Sequence, residues 1–374
     1  MSNTFRNNVM NITNQIITYK DIEEGICIEG DDFGIASYTI QPAIRSTFLS
    51  NPFLEDKSSC MVYLSRVDGI VGGREMFFPT KTKICGQLFQ SLSASSLMVE
   101  ERFRALALGA DISLFPFTTS RNNDFIVYAG ISKMALPLYR KLKFYDLSTP
   151  LMWQPRRTDF LFERLGMRGF LFTLLKGIGN LILKPYISFT NRFAEFRRDN
   201  TITVEEMKTV PVWVDSIISA DNHDYMEFHN REWMQWVLTH NFFGREKDKQ
   251  AFYAIYKNGK EFAFFLTKER ENSIPEKNIK RIVFGSIIEW GSLDEGIISE
   301  YDVYRIALST FSDDVDIVEF TSADKKVVKK MRQIGFIQHG DSHIVVKSLG
   351  KKYPDLGLLE KWRIRLGYGD VMFY

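Results

Sequence analysis

The sequence has little cysteine and little excess of either charge. Its 374 residues include Cys27, Cys60 and Cys85 and no Cys-x-x-Cys pair. A sparse, odd count argues against a disulfide framework and is typical of thiols buried in a protein of a reducing compartment. The 48 Lys and Arg residues against 46 Asp and Glu give a formal net charge of +2. This near-balance provides no electrostatic footprint for nucleic acid as a main partner.

Several common site signatures are also missing. The sequence contains no Gly-x-Ser-x-Gly, Walker A or His-Glu-x-x-His pattern. His339 and His343 have a spacing that suits a metal on a helix, but Gly340 between them predicts a turn, so no metal site is expected. The N-terminal residues are polar and lack the apolar region of a signal peptide. We therefore expect a cytoplasmic protein.

What the chain does contain is enough apolar material for two cores. Hydrophobic residues make up 45% of the sequence and aromatic residues 14%. A chain of this length exceeds the usual size of one domain. We predict an N-terminal domain over 15–155, a helical connector over 156–200 and a C-terminal domain over 201–374.

One stretch organises this prediction. A β-favouring run from Gln87 to Val99 precedes a tight turn with the spacing Arg104-x-x-Ala107-x-Gly109-Ala110, and an apolar-periodic helix follows through Phe115. Small residues at such a turn let backbone N–H groups approach a ligand closely. The positive end of the helix dipole then favours a pyrophosphate.

The same order of elements occurs twice. Two β-rich runs joined by Asp68-Gly69 predict a hairpin, followed by strand, helix, strand, helix and strand. This order returns around Asn258-Gly259. From Gly69 to Phe144 is 75 residues, and from Gly259 to Phe336 is 77 residues. The sequence therefore predicts a duplicated α/β unit.

The turn resembles motif A of the GNAT acyl-CoA N-acyltransferases, written V-x-P-x-Y-R-G-x-G-x-G-x-x-L. The matching residues are Val99, Phe103, Arg104, Gly109 and Ile112, whereas Glu101, Ala105 and Ala107 replace the proline and two glycines. Both Tyr139–Phe144 and Met331–Phe336 are similar to the family's late Y-x-K-x-G-F signature. Lys143 stands at the glycine of the first copy, and Gly335 keeps it in the second.

The resemblance implies an α/β (α+β) fold of two tandem GNAT-like domains, each a mixed, mostly antiparallel sheet flanked by helices. It implies that acetyl-CoA or another acyl-CoA is the co-substrate. Its pyrophosphate would bind the turn, its pantetheine the preceding strand edge, and Tyr139 would protonate the leaving thiolate. The cofactor residues implied by position are Leu97, Met98, Val99, Arg104, Ala105, Leu106, Ala107, Leu108, Gly109 and Ala110.

The second half lacks an Arg-x-x-Gly turn, and the acidic residues of Gly291–Gly296 would repel a pyrophosphate. We therefore interpret it as an acceptor-binding or scaffolding half. Glu289 is a candidate general base if burial beside Trp290 raises its pKa; the alternative is a solvated or ion-paired carboxylate. Glu100 and Glu101 are weaker candidates for the general base.

Two further stretches resemble tandem GNAT-like proteins of bacterial surface-polysaccharide clusters. Asn230–Trp236 is similar to their "R-x-x-Y-L-x-W-R" segment, and Trp362–Tyr374 is similar to their C-terminal ending. The resemblance implies a small-molecule or amino-sugar acceptor.

Residues 169–183 form the most apolar segment. The segment is short for a transmembrane helix and contains Lys176. We predict a connector helix buried between the domains. A helix on a membrane surface, favoured by the basic flanks Arg168 and Lys184, is the first alternative, and a membrane span is the second.

Three functions remain open on the sequence. The first is an acyl-CoA-dependent N- or O-acyltransferase. The second is a non-catalytic tandem GNAT-like binding protein, for which Ala105, Ala107 and Lys143 argue because each replaces a position that the family usually keeps small. The third is a Fem-like transferase that takes its donor from aminoacyl-tRNA.

Overall fold

The computed structural model describes residues 10–26, 42–119, 125–165, 169–196, 201–240, 248–274, 279–350 and 352–369. Cys27, Arg168 and the part of the predicted C-terminal signature beyond Gly369 lie outside these ranges. Of the other two cysteines, Cys60 is partly buried, but Cys85 is exposed, so the prediction of buried thiols is wrong for Cys85.

The described chain contains helices and strands in alternation. The strands are β1 Ile12–Thr18, β2 Cys60–Val67, β3 Ile70–Ile84, β4 Gln87–Val99, β5 Phe125–Gly130, β6 Tyr145–Asp146, β7 Thr149–Pro155, β8 Ile202–Met207, β9 Tyr225–Glu227, β10 Lys249–Lys257, β11 Lys260–Ile274, β12 Ile279–Ser292, β13 Ile317–Thr321, β14 Ile337–Ser342 and β15 Ile344–Leu349. The α-helices are α1 Tyr19–Glu23, α2 Pro42–Leu49, α3 Leu108–Thr119, α4 Leu136–Lys141, α5 Asp159–Arg164, α6 Gly169–Phe196, α7 Val214–Ala220, α8 Arg231–Thr239, α9 Glu300–Ala307 and α10 Lys325–Gln333.

These strands form two sheets with one parallel pair each. The first sheet has the order β1-β2-β3-β4-β5-β15-β6, with β9 beside β3, and the second has the order β14-β7-β13-β12-β11-β10-β8. The pairs β4–β5 and β12–β13 are parallel, and the other pairs are antiparallel. Both sheets are flanked by helices. The predicted fold class, mixed and mostly antiparallel, is confirmed.

Both predicted hairpins are present, and their turns explain why. Asp68 and Gly69 have φ of 52° and 84°, and Asn258 and Gly259 have φ of 52° and 72°. Positive φ at both central residues matches the right-handed twist of the flanking strands. The turns therefore fix the register of β2 on β3 and of β10 on β11.

The two halves of the chain exchange strands. β7 comes from the first half but lies in the second sheet between β13 and β14. β15 comes from the second half but lies in the first sheet between β5 and β6. Each sheet is therefore completed by the other half of the sequence. The division at 155 and 200 stays a prediction that describes the chain order rather than the sheets.

A shared core joins the two halves. Helix α8 presents Trp233, which stacks on Phe53 with ring centroids 5.1 Å apart. Phe78 of β3 and Phe264 of β11 belong to the same buried cluster. Asn230 caps the helix by accepting a hydrogen bond from the Trp233 amide at 3.0 Å.

The connector helix α6 differs from the prediction. It was expected to be buried between domains, but only 6% of its most apolar window, Gly169–Ile187, is buried. That window has 19 residues and a mean hydropathy of 1.2, so it meets the length and composition of a membrane-crossing helix. The apolar residues of this window are therefore mostly not buried against the rest of the described chain.

Candidate acyl-CoA groove and the buried charge cluster

The parallel strands of the first sheet separate halfway along. β4 pairs with β5 from Ser91 to Ala94 and then continues to Val99 paired with β3. β5 ends at Gly130, and the next amide, that of Ile131, donates to the carbonyl of His343 at 2.9 Å. The ladder between β4 and β5 therefore ends at Ala94.

A bulge in β4 accompanies this separation. Ser96 has a φ of 52°, and the register between β3 and β4 shifts between Arg74 and Met76. A bulge bends a strand and increases its local twist. It is therefore a direct cause of the divergence of β4 from β5.

The space between the strands contains two adjoining cavities. The inner cavity has a volume of ≈ 470 Å³ and the outer cavity ≈ 760 Å³. Both are lined by Leu97, Ser132 and Ala135. They form one groove, which we call the β4–β5 groove, and its length along the diverging part of β4 suits an extended ligand with amide groups.

The structure brings part of the predicted cofactor set together. Leu97, Met98, Val99 and Arg104 line the outer cavity. Of these, Arg104 also donates to the carbonyl of Val99 at 3.4 Å. Glu100 and Glu101 line the same cavity and add negative charge beside it. The six predicted residues that do not line it are Ala105, Leu106, Ala107, Leu108, Gly109 and Ala110.

The backbone of the turn has a conformation that favours glycine, although Ala105 and Ala107 stand at the family's glycine positions. Glu101–Leu106 is a 3-10 helix, and Ala107 follows with a φ of 59°. Alanine tolerates such a turn where φ is negative, but φ is positive at Ala107, a conformation that favours glycine. Leu108 is fully buried and packs in a cluster with Val67 and Phe103, so its side chain holds the turn in place.

Tyr139 lies in the wall of the inner cavity, as the resemblance implies. Its hydroxyl donates to Oε1 of Glu75 at 3.0 Å, and both side chains are almost completely buried. A proton passing from Tyr139 to a thiolate would leave a tyrosinate beside Glu75. The acid role therefore requires that Glu75 carry a proton. Burial and the nearby Glu75 raise the pKa of the Cys60 thiol to about 12, so Cys60 is no nucleophile.

A second hydrogen-bonded set of residues, Asp146, Ser148 and His343, reaches the inner cavity beside β15. Oγ of Ser148 lies 2.7 Å from Nδ1 of His343 and donates to Asp146. Arg140 donates to the same carboxylate at 2.7 Å. Because the Ser148 proton points to Asp146, Nδ1 of His343 must carry the donated hydrogen. In the neutral tautomer with hydrogen on Nδ1, the lone pair lies on Nε2, the atom that a general base would use.

His339 and His343, whose spacing alone would suit a metal, have separate surroundings in the fold. His339 stacks on Trp153 with centroids 3.4 Å apart, whereas His343 belongs to the groove. No group of three or more candidate ligands occurs in the part of the chain that the structure describes.

Glu289 belongs to a different place, a buried charge cluster at the junction of the sheets. Its Oε2 lies 2.5 Å from Nδ1 of His229, and its Oε1 lies 2.5 Å from Nη1 of Arg365. Nε2 of His229 lies 3.5 Å from Oε2 of Glu227. The cluster Glu227–His229–Glu289–Arg365 thus holds two carboxylates, an imidazole and a guanidinium.

The pKa of Glu289 contradicts the premise of its predicted role. Burial alone would raise this pKa, but Arg365 and His229 outweigh burial and lower it. The pKa of His229 is raised because Glu227 and Glu289 outweigh the opposite effect of burial. The adjoining cavity is only ≈ 10 Å³, about the space of one water. An ion-paired structural carboxylate fits this site better than a base.

The buried cluster reaches the back of the groove through the C-terminal segment. The Gly369 amide donates to Oε2 of Glu227 at 2.8 Å. A Cβ at Gly369 would lie 3.2 Å from Oγ of Ser93 and 3.7 Å from the amide of Gly130, where the strands part. The same segment contacts β12, because the Gly367 amide donates to the carbonyl of Ile288 at 2.8 Å.

Gly291 of the second half serves packing. A Cβ there would lie 2.5 Å from the ring of Phe264 and 3.1 Å from Ile217. Close packing therefore accounts for this glycine.

Comparisons with solved structures agree with this architecture. A GCN5-related N-acetyltransferase from Anabaena variabilis has 9% identity and a TM-score of 0.54, over 91% of this chain and 73% of that one. The Saccharomyces cerevisiae N-myristoyltransferase with bound myristoyl-CoA has 12% identity and a TM-score of 0.52, over 90% and 82%. A probable N-acyltransferase from Enterococcus faecalis has 10% identity and a TM-score of 0.52, over 91% and 73%.

No family model and no curated protein matches the sequence. The likeness is therefore one of fold, and the fold is that of the GNAT acyltransferases. The predicted fold resemblance is confirmed at this level.

Sequence reasoning missed Glu75, Ser148 and His343. These residues come from β3, the β6–β7 connection and the β14–β15 connection, and the strand exchange brings them together. Of these three residues, only His343 had a local signal in the sequence, because this histidine lies beside a predicted strand and has no second ligand for a metal site.

Proposed function

We propose that this protein is an acyl-CoA-dependent N- or O-acyltransferase. The observation that carries the proposal is the β4–β5 groove, an elongated opening along β4 beyond the end of its pairing with β5. Helix α3 begins close to the outer cavity, where a Cβ at Gly109 would lie 3.5 Å from the side chain of Val99. The first amides of a helix have no carbonyl partner within it, so those of Leu108 and Gly109 are suitable donors for a pyrophosphate, and the diverging part of β4 is suitable for the pantetheine amides.

The inner cavity supplies groups for transfer. Nε2 of His343 accepts the proton of an acceptor amine or hydroxyl as its nitrogen or oxygen attacks the thioester carbonyl carbon. The C–S bond then breaks, and Tyr139 donates its proton to the thiolate while Glu75 reprotonates Tyr139. In this mechanism the Glu75 carboxyl returns the proton to Tyr139, and the Asp146 carboxylate positions His343 through Ser148.

The finer features of the proposal rest on the sequence resemblance. They are a tandem pair of GNAT-like units, a cytoplasmic location and a small-molecule or amino-sugar acceptor. The neighbour from Saccharomyces cerevisiae binds myristoyl-CoA. Long acyl chains therefore belong among the donors to be tested with this protein, beside acetyl-CoA.

Calorimetric titration with CoA, acetyl-CoA and myristoyl-CoA tests the proposal. We expect micromolar binding of at least one of them and a loss of roughly tenfold or more in Arg104→Glu, because this change reverses a charge at the outer cavity. Arg102→Glu is the matched control, since Arg102 is also exposed on the 3-10 helix but does not line the groove. No binding up to millimolar concentration of any of the three would overturn the proposal.

A non-catalytic binding protein is the second candidate function. Ala107 at positive φ and the two carboxylates of Glu100 and Glu101 beside the outer cavity favour it, because both features oppose close phosphate contact. Binding of acyl-CoA without any transfer to a panel of amines and amino sugars, and without effect of His343→Ala on thioester turnover, would support this candidate. Absence of CoA binding would instead leave the tRNA-dependent alternative.

A further inference from the structure

Helix α6 is attached to the protein by its polar side. The Asn180 side chain accepts from the Thr158 amide at 2.7 Å and donates to Asp159 at 2.7 Å. Lys176 forms an ion pair with Asp159 at 2.8 Å. A Cβ at Gly179 would lie 2.7 Å from the Thr158 hydroxyl, so the glycine allows this close approach. These contacts fix the rotation of the helix about its axis.

The apolar side of the same helix consequently faces outward. Six large side chains lie within about 120° of the helix circumference at 100° per residue. Their exposed fractions are Phe170 84%, Leu171 57%, Leu174 46%, Ile178 46%, Leu181 73% and Ile182 68%. Leu165, just beyond α5, is 71% exposed and extends this apolar stripe. Contiguous apolar patches of this kind mark an interaction surface.

The charge of the segment indicates what the stripe contacts. Residues 156–200 contain nine Lys and Arg against four Asp and Glu, whereas the whole chain contains 48 against 46. Lys184 lies on the helix beside the stripe and is exposed. Asp313 and Asp314 line the same cavity as Lys184 and Arg157. Arg157 and Lys176 pair with Asp159 on the attached side of the helix. The positive excess that remains in the segment complements an anionic surface.

The size of the stripe argues against a second copy of the chain. From Phe170 to Ile182 the helix rises about 18 Å, and a helix face is about 10 Å wide. A stable dimer buries about 800 Å² on each partner. An apolar stripe flanked by basic residues is instead the pattern of a helix that lies in the interface of a bilayer.

We propose that α6 docks this protein onto an anionic lipid bilayer, with the apolar stripe inserted among the acyl chains and the basic residues of the connector near the headgroups. The helix lies parallel to the surface, because its polar side remains fixed to Thr158 and Asp159. This inference does not depend on the proposed acyltransferase activity.

Flotation of the purified full-length chain with vesicles tests the proposal. The vesicles contain phosphatidylcholine alone or phosphatidylcholine with phosphatidylglycerol. We expect binding to the anionic vesicles that weakens with salt. The double variant Ile178→Asn with Leu181→Asn should weaken vesicle partitioning by roughly tenfold or more. Both positions are exposed, so folding, checked by circular dichroism, should be unchanged.

A matched control uses exposed apolar residues elsewhere. Val212 is 71% exposed and Leu293 is 51% exposed, and the variant Val212→Asn with Leu293→Asn should float like the unchanged protein. Failure of the unchanged protein to float would overturn the proposal. So would equal loss in both double variants, extraction-resistant insertion typical of a spanning helix, or a dimer in light scattering that the α6 variant dissociates.

Discussion

At the scale of single residues, the pairing of Tyr139 with Glu75 determines what each side chain can do. A hydroxyl that donates to a carboxylate cannot at the same moment protonate a thiolate. The resemblance predicted the tyrosine, because a motif in sequence marks it. It could not predict Glu75, since the partner comes from a strand 64 residues away.

Replacing Tyr139 separates its structural role from its chemical role. Tyr139→Phe should lower kcat for acyl transfer by about tenfold to hundredfold, because it removes a proton donor, with little change in CoA affinity. Glu75→Gln should also lower kcat, because glutamine cannot return a proton to Tyr139. Steady-state kinetics with Tyr145→Phe, an exposed tyrosine, as control checks this. An unchanged kcat in Tyr139→Phe would remove Tyr139 from the mechanism.

Lys143 shows the cost of departing from a family glycine. Its φ is 61°, and Gly335 at the matching place in the second half has a φ of 95°. In both copies the next amide, of Phe144 or Phe336, donates back to a carbonyl five residues earlier. This is the helix C-terminal motif that favours glycine.

We expect Lys143→Gly to raise the free energy of unfolding by about 1 kcal/mol, because a left-handed backbone strains a side chain with Cβ. Urea denaturation measures the change. Lys141→Gly, inside α4, is the control and should lower stability by about the same amount. A destabilised Lys143→Gly variant would show that the lysine side chain contributes more than its backbone strain costs.

At the scale of elements, the buried charge cluster joins β9 of one sheet, β12 of the other and the C-terminal segment. Sequence analysis made Glu289 a candidate base only if burial raises its pKa and kept an ion-paired carboxylate as the alternative, because the partners of a buried carboxylate are not visible in one sequence. Arg365 is 76 residues away, and its guanidinium is fully buried on the carboxylate. Removing one partner of such a set leaves an uncompensated buried charge.

Glu289→Gln should therefore lower the free energy of unfolding by about 3 kcal/mol or more. The lowered pKa of Glu289 contributes stability above the ordinary Glu value of 4.5, and this is lost as pH falls through the lowered value. The raised pKa of His229 contributes stability below the ordinary His value of 6.5, and this is lost as pH rises through the raised value.

The stability difference between the unchanged protein and Glu289→Gln should consequently be largest between pH 4.5 and 6.5 and should decrease as pH rises through the raised pKa of His229. Urea denaturation across this range measures it, with the exposed Glu261→Gln as control. A difference that grows steadily with pH would contradict the assignment of a charged His229 between two carboxylates.

At the scale of the whole molecule, local patterns predicted the hairpins and the repeated order of elements. These predicted features depend on turn residues and side-chain periodicity, which act over a few positions. The exchange of β7 and β15 could not be predicted, because it depends on register between strands far apart in the chain. The outward apolar face of α6 was missed for a related reason, since its orientation is fixed by the contacts of Lys176 and Asn180.

The strand exchange predicts that the halves unfold together. Each sheet loses an internal strand if the other half unfolds, and one core contains residues of both. Tryptophan fluorescence and far-ultraviolet circular dichroism should give coincident urea transitions. Two resolved transitions would show that the sheets are stable separately. Addition of a binding acyl-CoA should move the single transition to higher urea concentration.

The central claim, that the β4–β5 groove holds acyl-CoA, is tested most directly by amide hydrogen exchange. At a saturating concentration of the acyl-CoA that binds most tightly, exchange should slow at residues 95–99, which line the groove, and at residues 108–110, where α3 begins beside Val99. Strand β10 should be unaffected. Saturated protein with unchanged exchange at 95–99, or with protection confined to other parts of the chain, would contradict the account.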